Sequence, residues 1–310
     1  MGSIEAHLSL AEIYYQNEDY QNSIELLSAQ GVKEHPKAKL IMAKIKLKEP
    51  NPDYLIIKKY LQEASLDSNA EAMVLYGKLL MKNTKMIKRD FSTSFKYFKI
   101  ASELNDSEAK AYLALFYYYG FGVIDFDFKK AAELSRLSYE QKNMTGAAFF
   151  AECLSKGRGI EKNEELAIKI AKESSEHNNS KGKNKYGEFL NIGLNGIQVD
   201  KKKAMKLFKE SMEQGDEEGK FLYASCLLEG SEYGPEKEPT KAVQLLKESI
   251  EEGCISAMVT YGQLQIRGCY VNDDYLDSIF SDQNIIDGID NIKDAANLGN
   301  DYGIIIYCQI

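Results

Sequence analysis

The sequence predicts an all-α solenoid of about eight helix-turn-helix repeats, and two periodic sets of residues carry this prediction. Glycines that follow apolar stretches recur at intervals of 36 to 38 residues: Gly120, Gly157, Gly193, Gly230 and Gly268. Small residues that open the next amphipathic stretch recur at the same intervals: Ser94, Ala131, Ala167, Ala204 and Ala242. A fixed period of this length is typical of solenoid proteins, in which each repeat is one supersecondary unit.

Three further sets of small residues keep the same period and indicate how the helices pack. One set lies seven residues after the second set above: Ala101, Ser138, Ser174, Ser211 and Ser249. Another lies eight residues further on: Ala109, Gly146, Gly182, Gly219 and Ala257. The last set has the same spacing: Gly77, Ala114, Ala151, Gly187, Ala224 and Gly262. Small residues on one helical face let two helices approach closely, so each repeat is expected to be a packed helical hairpin.

The predicted helix ends agree with the period. In four repeats a good N-cap acceptor lies four residues before the small residue that opens the second helix: Asp90, Asp127, Asn163 and Asp200. Glu238 is a poorer cap, but Pro239 follows it and suits the first helical position. The glycines between the two helices fit the left-handed conformation in which many helices end.

The period assigns residues 1–310 to a single solenoid without a separate catalytic domain. Hairpins are expected at roughly 3–30, 36–66, 69–104, 106–142, 144–178, 180–215, 217–253 and 255–299. A terminal half-repeat helix is expected at 301–310. The eighth hairpin is expected to carry an insertion within residues 269–284.

Three segments resemble a known repeat signature: GFGVIDFDFKKA at 120–131, GRGIEKNEELA at 157–167 and GLNGIQVDKKKA at 193–204. They are similar to the signature of the Sel-1-like repeat family, whose members are relatives of tetratricopeptide repeats. In that signature a small residue and L-G-x-x-Y are followed by G-x-G-V/I and then by D/N-x-x-K-A. The resemblance covers residues 69–299, whereas residues 1–66 look more like tetratricopeptide hairpins with short turns. It implies a right-handed α-solenoid that acts as a protein-binding scaffold.

Composition narrows the class of protein further. The formal net charge is −8 and the pI is near 5.2, so nucleic acid is not an expected partner. The longest apolar run, at 111–124, is too short to span a bilayer, and the N-terminal residues show no secretory signal. Five cysteines at uneven spacing do not form a disulfide framework. We therefore expect a reduced, cytoplasmic protein that does not insert into membranes.

No set of residues predicts catalysis, a metal site or a cofactor. The three histidines occupy unrelated positions in the repeat: His7, His35 and His177. The aspartates of the inserted segment lack the glycine of a calcium-binding loop and are expected to be solvated: Asp273, Asp274, Asp277 and Asp282. Three cysteines occupy core positions of the repeat and are expected to act as apolar fillers: Cys153, Cys226 and Cys308.

Function is therefore expected on the first helices of the hairpins, which line the inner groove of tetratricopeptide-like solenoids. The candidate groove residues follow the last small-residue set or lie one turn later: Lys78, Met81, Leu115, Tyr118, Tyr119, Glu152, Lys156, Glu188, Asn191, Ser225, Glu229, Gln263 and Arg267. Leu115, Tyr118 and Tyr119 would form an aromatic patch that anchors a partner peptide with basic or apolar side chains. The alternative is that these aromatics only fill the space between hairpins.

The sequence favours a non-enzymatic adaptor that binds partner proteins in this groove. The alternative is a regulatory subunit that activates a partner enzyme. A second candidate surface is the apolar end YGIIIYCQI, residues 302–310. It is expected to cover the eighth hairpin as a lid or to belong to a longer repeat array, with homodimerisation as a further alternative.

Overall fold

The computed structural model describes residues 3–84, 86–230, 238–267, 282–298 and 300–308. Within these ranges every regular element is a helix, so the predicted all-α repeat fold is confirmed. The chain forms two compact units, Met1–Ala109 and Lys110–Ile310, each with hydrophobic clusters of its own.

The first unit contains six complete helices: α1 (Ile4–Gln16), α2 (Tyr20–Leu27), α3 (Pro36–Leu47), α4 (Tyr54–Ser65), α5 (Ala70–Met81) and α6 (Phe91–Glu103). They pack in chain order as three hairpins. One buried hydrogen bond recurs between the two helices of a hairpin, from Ser23 Oγ to Ala11 O and from Ser94 Oγ to Gly77 O, each at 2.8 Å. The connection between the two helices has three residues after α1 and nine residues after α5, yet the same serine-to-carbonyl hydrogen bond forms in both hairpins.

Helix α7 (Ser107–Tyr119) begins in the first unit, and its residues from Lys110 onward belong to the second. The second unit continues with α8 (Phe128–Glu140), α9 (Met144–Lys156), α10 (Glu164–Glu176), α11 (Ser180–Ile192), α12 (Lys201–Glu213), α13 (Glu217–Glu229), α14 (Pro239–Glu252), α15 (Ile255–Arg267), α16 (Asp282–Asn297) and α17 (Asp301–Tyr307). A 3-10 turn, Leu194–Gly196, follows α11. First helices also pack on one another, α9 on α11, α11 on α13 and α13 on α15.

The small residues lie where helices approach most closely. A Cβ at Gly182 would overlap Ser174 Oγ on the preceding helix, and one at Gly146 would overlap Ser138 Oγ in the same way. The hydroxyl of Ser174 donates to Met144 O at 2.7 Å. A Cβ at Gly187 would meet the ring of Phe208. The period therefore marks helix contacts, as the sequence predicts.

The predicted caps form. The side chains of Asp90, Asp127, Asn163 and Asp200 each accept a hydrogen bond from the backbone N–H three residues later. Glu238 caps nothing with its side chain, and Pro239 occupies the first helical position. Gly157 ends α9 with φ of 65°, in the left-handed region where glycine has no Cβ penalty. The first helices have caps that the sequence analysis did not predict: Asn69, Asn143, Asn179, Asp216 and Asn300.

The C-terminal helix α17 packs on α16, where Gly303 lies against Ala295. Ile306 joins the cluster of Met258, Val259 and Ala295, while Ile304 and Ile305 are exposed. Cys308 is exposed, so the prediction that it fills the core is wrong. It is the C-cap residue of α17.

Most of the residues predicted in the inserted segment lie where the structure gives no description. Gly268, Asp273, Asp274 and Asp277 lie outside the described residues, and Asp282 begins α16. Of the helices that the structure describes, none is both long and apolar enough to traverse a bilayer.

Candidate functional site

The two tyrosines of the predicted aromatic patch have different environments. Tyr118 is 4% exposed and packs edge-on against Phe128 of α8, with ring centroids 5.5 Å apart. It also lies in a cluster with Ala131 and Cys153. Its place in the predicted groove is therefore corrected, and the alternative of a space-filling aromatic holds for this residue. One helical position rotates a side chain by about 100°, which turns Tyr118 towards α8.

Tyr119 is half-buried and faces α9. Its hydroxyl donates to Glu152 Oε1 at 3.2 Å. Leu115 is also half-buried, and together with Tyr119, Phe149 and Glu152 it lines a cavity of about 10 Å³. The cavity has room for about one water molecule, so it is too small to hold a side chain of a partner.

Charged side chains of α9 and α11 meet beside this tyrosine. Glu152 Oε1 lies 3.0 Å from Lys156 Nζ on the same helix, and Glu152 Oε2 lies 3.3 Å from Lys185 Nζ on α11. Lys185 Nζ also lies 2.6 Å from Glu188 Oε2, one turn later. Lys185 therefore joins two carboxylates from neighbouring hairpins.

A second lysine joins α11 to α13. Lys181 Nζ lies 3.1 Å from Asp216 Oδ2, 2.9 Å from Glu217 Oε1 and 3.5 Å from Glu218 Oε2. Asp216 is the N-cap of α13 and accepts from Gly219 N at 2.9 Å. We call the side chains that meet here the charge cluster: Tyr119, Glu152, Lys156, Lys181, Lys185, Glu188, Asp216, Glu217 and Glu218.

Ion pairing holds the centre of the charge cluster ionised against the effect of burial. Glu152 is 8% exposed, and Lys181 and Lys185 are each 12% exposed. Burial by itself would raise the pKa of Glu152, but Lys185 and Lys156 outweigh it and lower the pKa to about 2. Burial would lower the pKa of both central lysines, but their carboxylate neighbours raise it well above the usual range.

Glu218 behaves in the opposite way. Burial is the largest influence on its carboxyl and raises its pKa to about 7, helped by the charges of Glu188 and Asp216. Lys181 and Lys185 lower the pKa but do not compensate. The side chain keeps 35% exposure, so solvent reaches it. Carboxylate charge is thus in excess at this end of the charge cluster.

Four residues of the charge cluster were predicted from the sequence: Tyr119, Glu152, Lys156 and Glu188. Lys181, Lys185 and Glu218 were missed because the prediction followed only residues after the last small-residue set. The signal was present, since Lys181, Lys185 and Glu188 are spaced i, i+4 and i+7 and share one helical face.

The other predicted groove residues lie apart from these contacts or belong to the first unit. In the first unit, Lys78 Nζ donates to Glu108 Oε1 at 2.7 Å, and Met81 is half-buried at the end of α5. Ser225 is half-buried and its hydroxyl donates to Phe221 O of its own helix. Asn191 and Gln263 are half-buried, and Glu229 is exposed. The side chain of Arg267 lies outside the described residues.

The cysteine thiols and the possible metal ligands do not form a reactive centre in the parts of the chain that the structure describes. Burial raises the pKa of Cys153 to about 12 and that of Cys226 to about 11, which suppresses the reactive thiolate. Both side chains pack in hydrophobic clusters, as predicted. No three His, Cys, Asp or Glu side chains among the described residues could hold a metal ion.

Comparison with solved structures shows several helical repeat proteins with low sequence identity. A protective antigen of uropathogenic Escherichia coli, c5321, has an SLR fold and is 18% identical, with a TM-score of 0.47 over 98% of this chain. The chain spans 63% of that protein's length. A Sel1 repeat protein from Oxalobacter formigenes is 17% identical (TM-score 0.46) over 93% of this chain and 96% of its own. The human IFIT1 dimer with PPP-AAAA is 16% identical (TM-score 0.50) over 97% of this chain and 72% of its own.

No protein of curated function matches the sequence. The Sel1 repeat itself matches five times, at residues 70–106, 107–143, 146–179, 180–216 and 218–254. These matches cover more than half of the chain, and proteins with this repeat generally mediate protein–protein interaction as non-catalytic scaffolds. The chain therefore belongs to the Sel1 repeat family.

Proposed function

We propose that this protein is a non-enzymatic adaptor that binds a segment of a partner protein along the first helices of the second unit. The charge cluster carries this proposal. Long charged side chains from α9, α11 and α13 converge on one surface, and Glu188 and Glu218 there keep about a third of their exposure. Because these side chains are partly exposed, they can offer charge and hydrogen bonds to a partner while the protein stays folded.

The chemistry of the charge cluster supports binding rather than turnover. Its central carboxylate, Glu152, is ion-paired with two lysines, and a carboxylate with a pKa near 2 is a poor general base. The pKa values of Lys181 and Lys185 are raised well above the usual range, so these two lysines are protonated and are not nucleophiles. The thiol of Cys153 is buried and that of Cys226 half-buried, and burial raises the pKa of both.

A regulatory subunit that activates a partner enzyme would use the same surface. The two functions differ in what happens to the partner. An activator changes the turnover of its partner, whereas an adaptor changes only which proteins are brought together.

The test is a pull-down from the source cells with a variant that obstructs the surface. Ser225 occupies on α13 the repeat position that Glu152 and Glu188 occupy on α9 and α11, so Ser225→Trp places a large ring there. The matched control is Ser92→Trp, at an exposed position of α6. We expect a partner that the intact protein and the control retain and Ser225→Trp loses, with unchanged circular dichroism. Retention by all three proteins would contradict the proposal.

If a partner enzyme is captured, its turnover is then measured with and without this protein. A change in turnover that Ser225→Trp abolishes would favour the regulatory subunit over the adaptor.

A further inference from the structure

The two central lysines of the charge cluster, Lys181 and Lys185, have little donor capacity left for a ligand. The Lys181 ammonium has three N–H groups, and three carboxylates lie within 3.5 Å of its nitrogen. Lys185 contacts two carboxylates, Glu152 and Glu188. An anionic ligand would have to break these pairs, which is costly for buried charges.

The carboxylates, in contrast, have acceptor capacity to spare. Five of them, Glu152, Glu188, Asp216, Glu217 and Glu218, share three lysines, so the formal charge of the cluster is negative. Each carboxylate accepts up to about four hydrogen bonds. Glu188, Glu217 and Glu218 each keep about a third of their side-chain exposure, and each pairs with one of the two central lysines. Of these, Glu188 and Glu218 come from neighbouring helices, and the charge of Glu188 opposes that of Glu218.

Asn184 gives a second, independent indication that the charge cluster is short of donors. Its side chain is 1% exposed, and its amide nitrogen donates to Asp216 Oδ1 at 2.8 Å. Its amide oxygen has no hydrogen-bond partner among the described residues. A buried acceptor without a donor is unfavourable, by about 1–3 kcal/mol in typical cases. Acceptors therefore outnumber donors around Asp216 among the described residues.

We infer that the partner segment presents an arginine or lysine side chain that binds between Glu188 and Glu218. This inference rests on the proposed function and names the chemistry of the partner. A guanidinium or ammonium group would donate charge-assisted hydrogen bonds to both carboxylates and would relieve their mutual repulsion. Arginine fits best, because its planar group can donate to two carboxylates at once.

The probe is a displayed library of random twelve-residue peptides, selected on the intact protein at pH 8. The test variant is Glu188→Gln with Glu218→Gln, which keeps side-chain size and removes both charges. The matched control is Glu133→Gln with Glu251→Gln, two exposed glutamates on second helices. Urea unfolding of all three proteins confirms that each is folded.

We expect the selected peptides to be enriched in arginine and lysine. A selected peptide should bind the test variant at least tenfold more weakly, and the control variant as tightly as the intact protein. Replacing the basic residue of the peptide with glutamine should weaken binding by a similar factor. The two losses should not add, because both remove the same contact.

The other outcomes separate this inference from the proposed function. Peptides that lack basic residues, or that bind the test variant as tightly as the intact protein, would overturn the inference. If Ser225→Trp still abolished their binding, the proposed function would stand. Failure to select any peptide on the intact protein would overturn both.

Discussion

Among single residues, Glu152 and Glu218 show how the same side chain acquires opposite properties in one cluster. Burial disfavours the charge of both carboxylates. Glu152 lies within 3.3 Å of two lysines, and their attraction outweighs burial. Among the described residues Glu218 is ion-paired with Lys181 at 3.5 Å and feels Lys185 from further away, and its carboxylate neighbours oppose its charge. The number and distance of the lysines therefore decide which carboxylate is ionised.

The first prediction concerns the pH dependence of stability at Glu218. Its pKa is raised from 4.5 to about 7 in the folded protein, so the folded state binds more protons than the unfolded state between these values. This contribution to stability is present at low pH and is lost as pH rises through about 7. Glu218→Gln should therefore gain stability relative to the intact protein as pH rises, by on the order of 1 kcal/mol after allowance for solvent exposure.

Urea unfolding at pH 5 and pH 8 measures this difference. Glu133→Gln, at an exposed position, is the control and should show the same difference from the intact protein at both pH values. An equal difference for Glu218→Gln at the two pH values would contradict the prediction.

The second prediction concerns the hydroxyl of Tyr118. It is buried and has no hydrogen-bond partner among the described residues. Tyr118→Phe should therefore stabilise the protein by about 1 kcal/mol, because it removes an unsatisfied polar group. Tyr118→Ala should destabilise it by about 3 kcal/mol or more, because it leaves a cavity between α7 and α8. Urea unfolding distinguishes the two, and a destabilised Tyr118→Phe would show that the hydroxyl has a partner such as a bound water.

Tyr118 and Tyr119 also show where prediction from the sequence stops. Both are tyrosines at the end of one apolar helix, and the repeat period does not decide which of them faces the neighbouring helix α8. That choice depends on how closely α8 and α9 approach α7, which larger side chains such as Phe128 and Phe149 determine. Exposure of a residue is therefore a property of the packing between helices.

At the scale of helices, the sequence predicted the helix ends and helix contacts better than it predicted the exposure of single residues. Helix ends depend on local chemistry, so Asp90, Asp127, Asn163 and Asp200 could be recognised as caps without knowledge of the fold. The small-residue period marked the contacts between helices for the same reason, since only glycine fits at positions such as Gly182. The charge cluster was predicted in part. The period located Glu188 on α11, but the prediction took only residues that follow the last small-residue set and so missed Lys181 and Lys185 on the same face.

The third prediction compares two helix N-caps. Asp200 accepts a hydrogen bond from Lys203 N at 2.9 Å, whereas Glu238 makes no such bond. Asp200→Ala should destabilise the protein by about 1 kcal/mol, because the start of α12 loses its capping acceptor. Glu238→Ala should have little effect, since it loses only an exposed ion pair with Lys241. Thermal unfolding of both variants measures the contrast, and equal destabilisation would contradict the predicted difference between the two caps.

At the scale of the whole molecule, each hairpin is stabilised mainly by its neighbours in the chain. Within each unit, helices pack on those that precede and follow them, and first helices contact the first helices of adjacent hairpins. The ion pairs follow the same rule, with Lys185 joining α11 to α9 and Lys181 joining α11 to α13. A chain built in this way has stability that is approximately a sum of local terms.

The last prediction is that damage to one hairpin spreads only to adjacent hairpins. Phe208 of α12 is 2% exposed and packs where Gly187 admits its ring, so Phe208→Ala should cost about 3–5 kcal/mol. Leu61 of α4 is fully buried, and Leu61→Ala should cost about 2–5 kcal/mol. Hydrogen exchange followed by mass spectrometry should show faster exchange in α11 to α13 for the first variant and in α3 to α5 for the second. Because lesions in a solenoid act through nearest neighbours, each variant should leave the other region at the exchange rate of the intact protein. If either variant accelerated exchange equally in both regions, the chain would unfold as one cooperative body and the local account of its stability would be wrong.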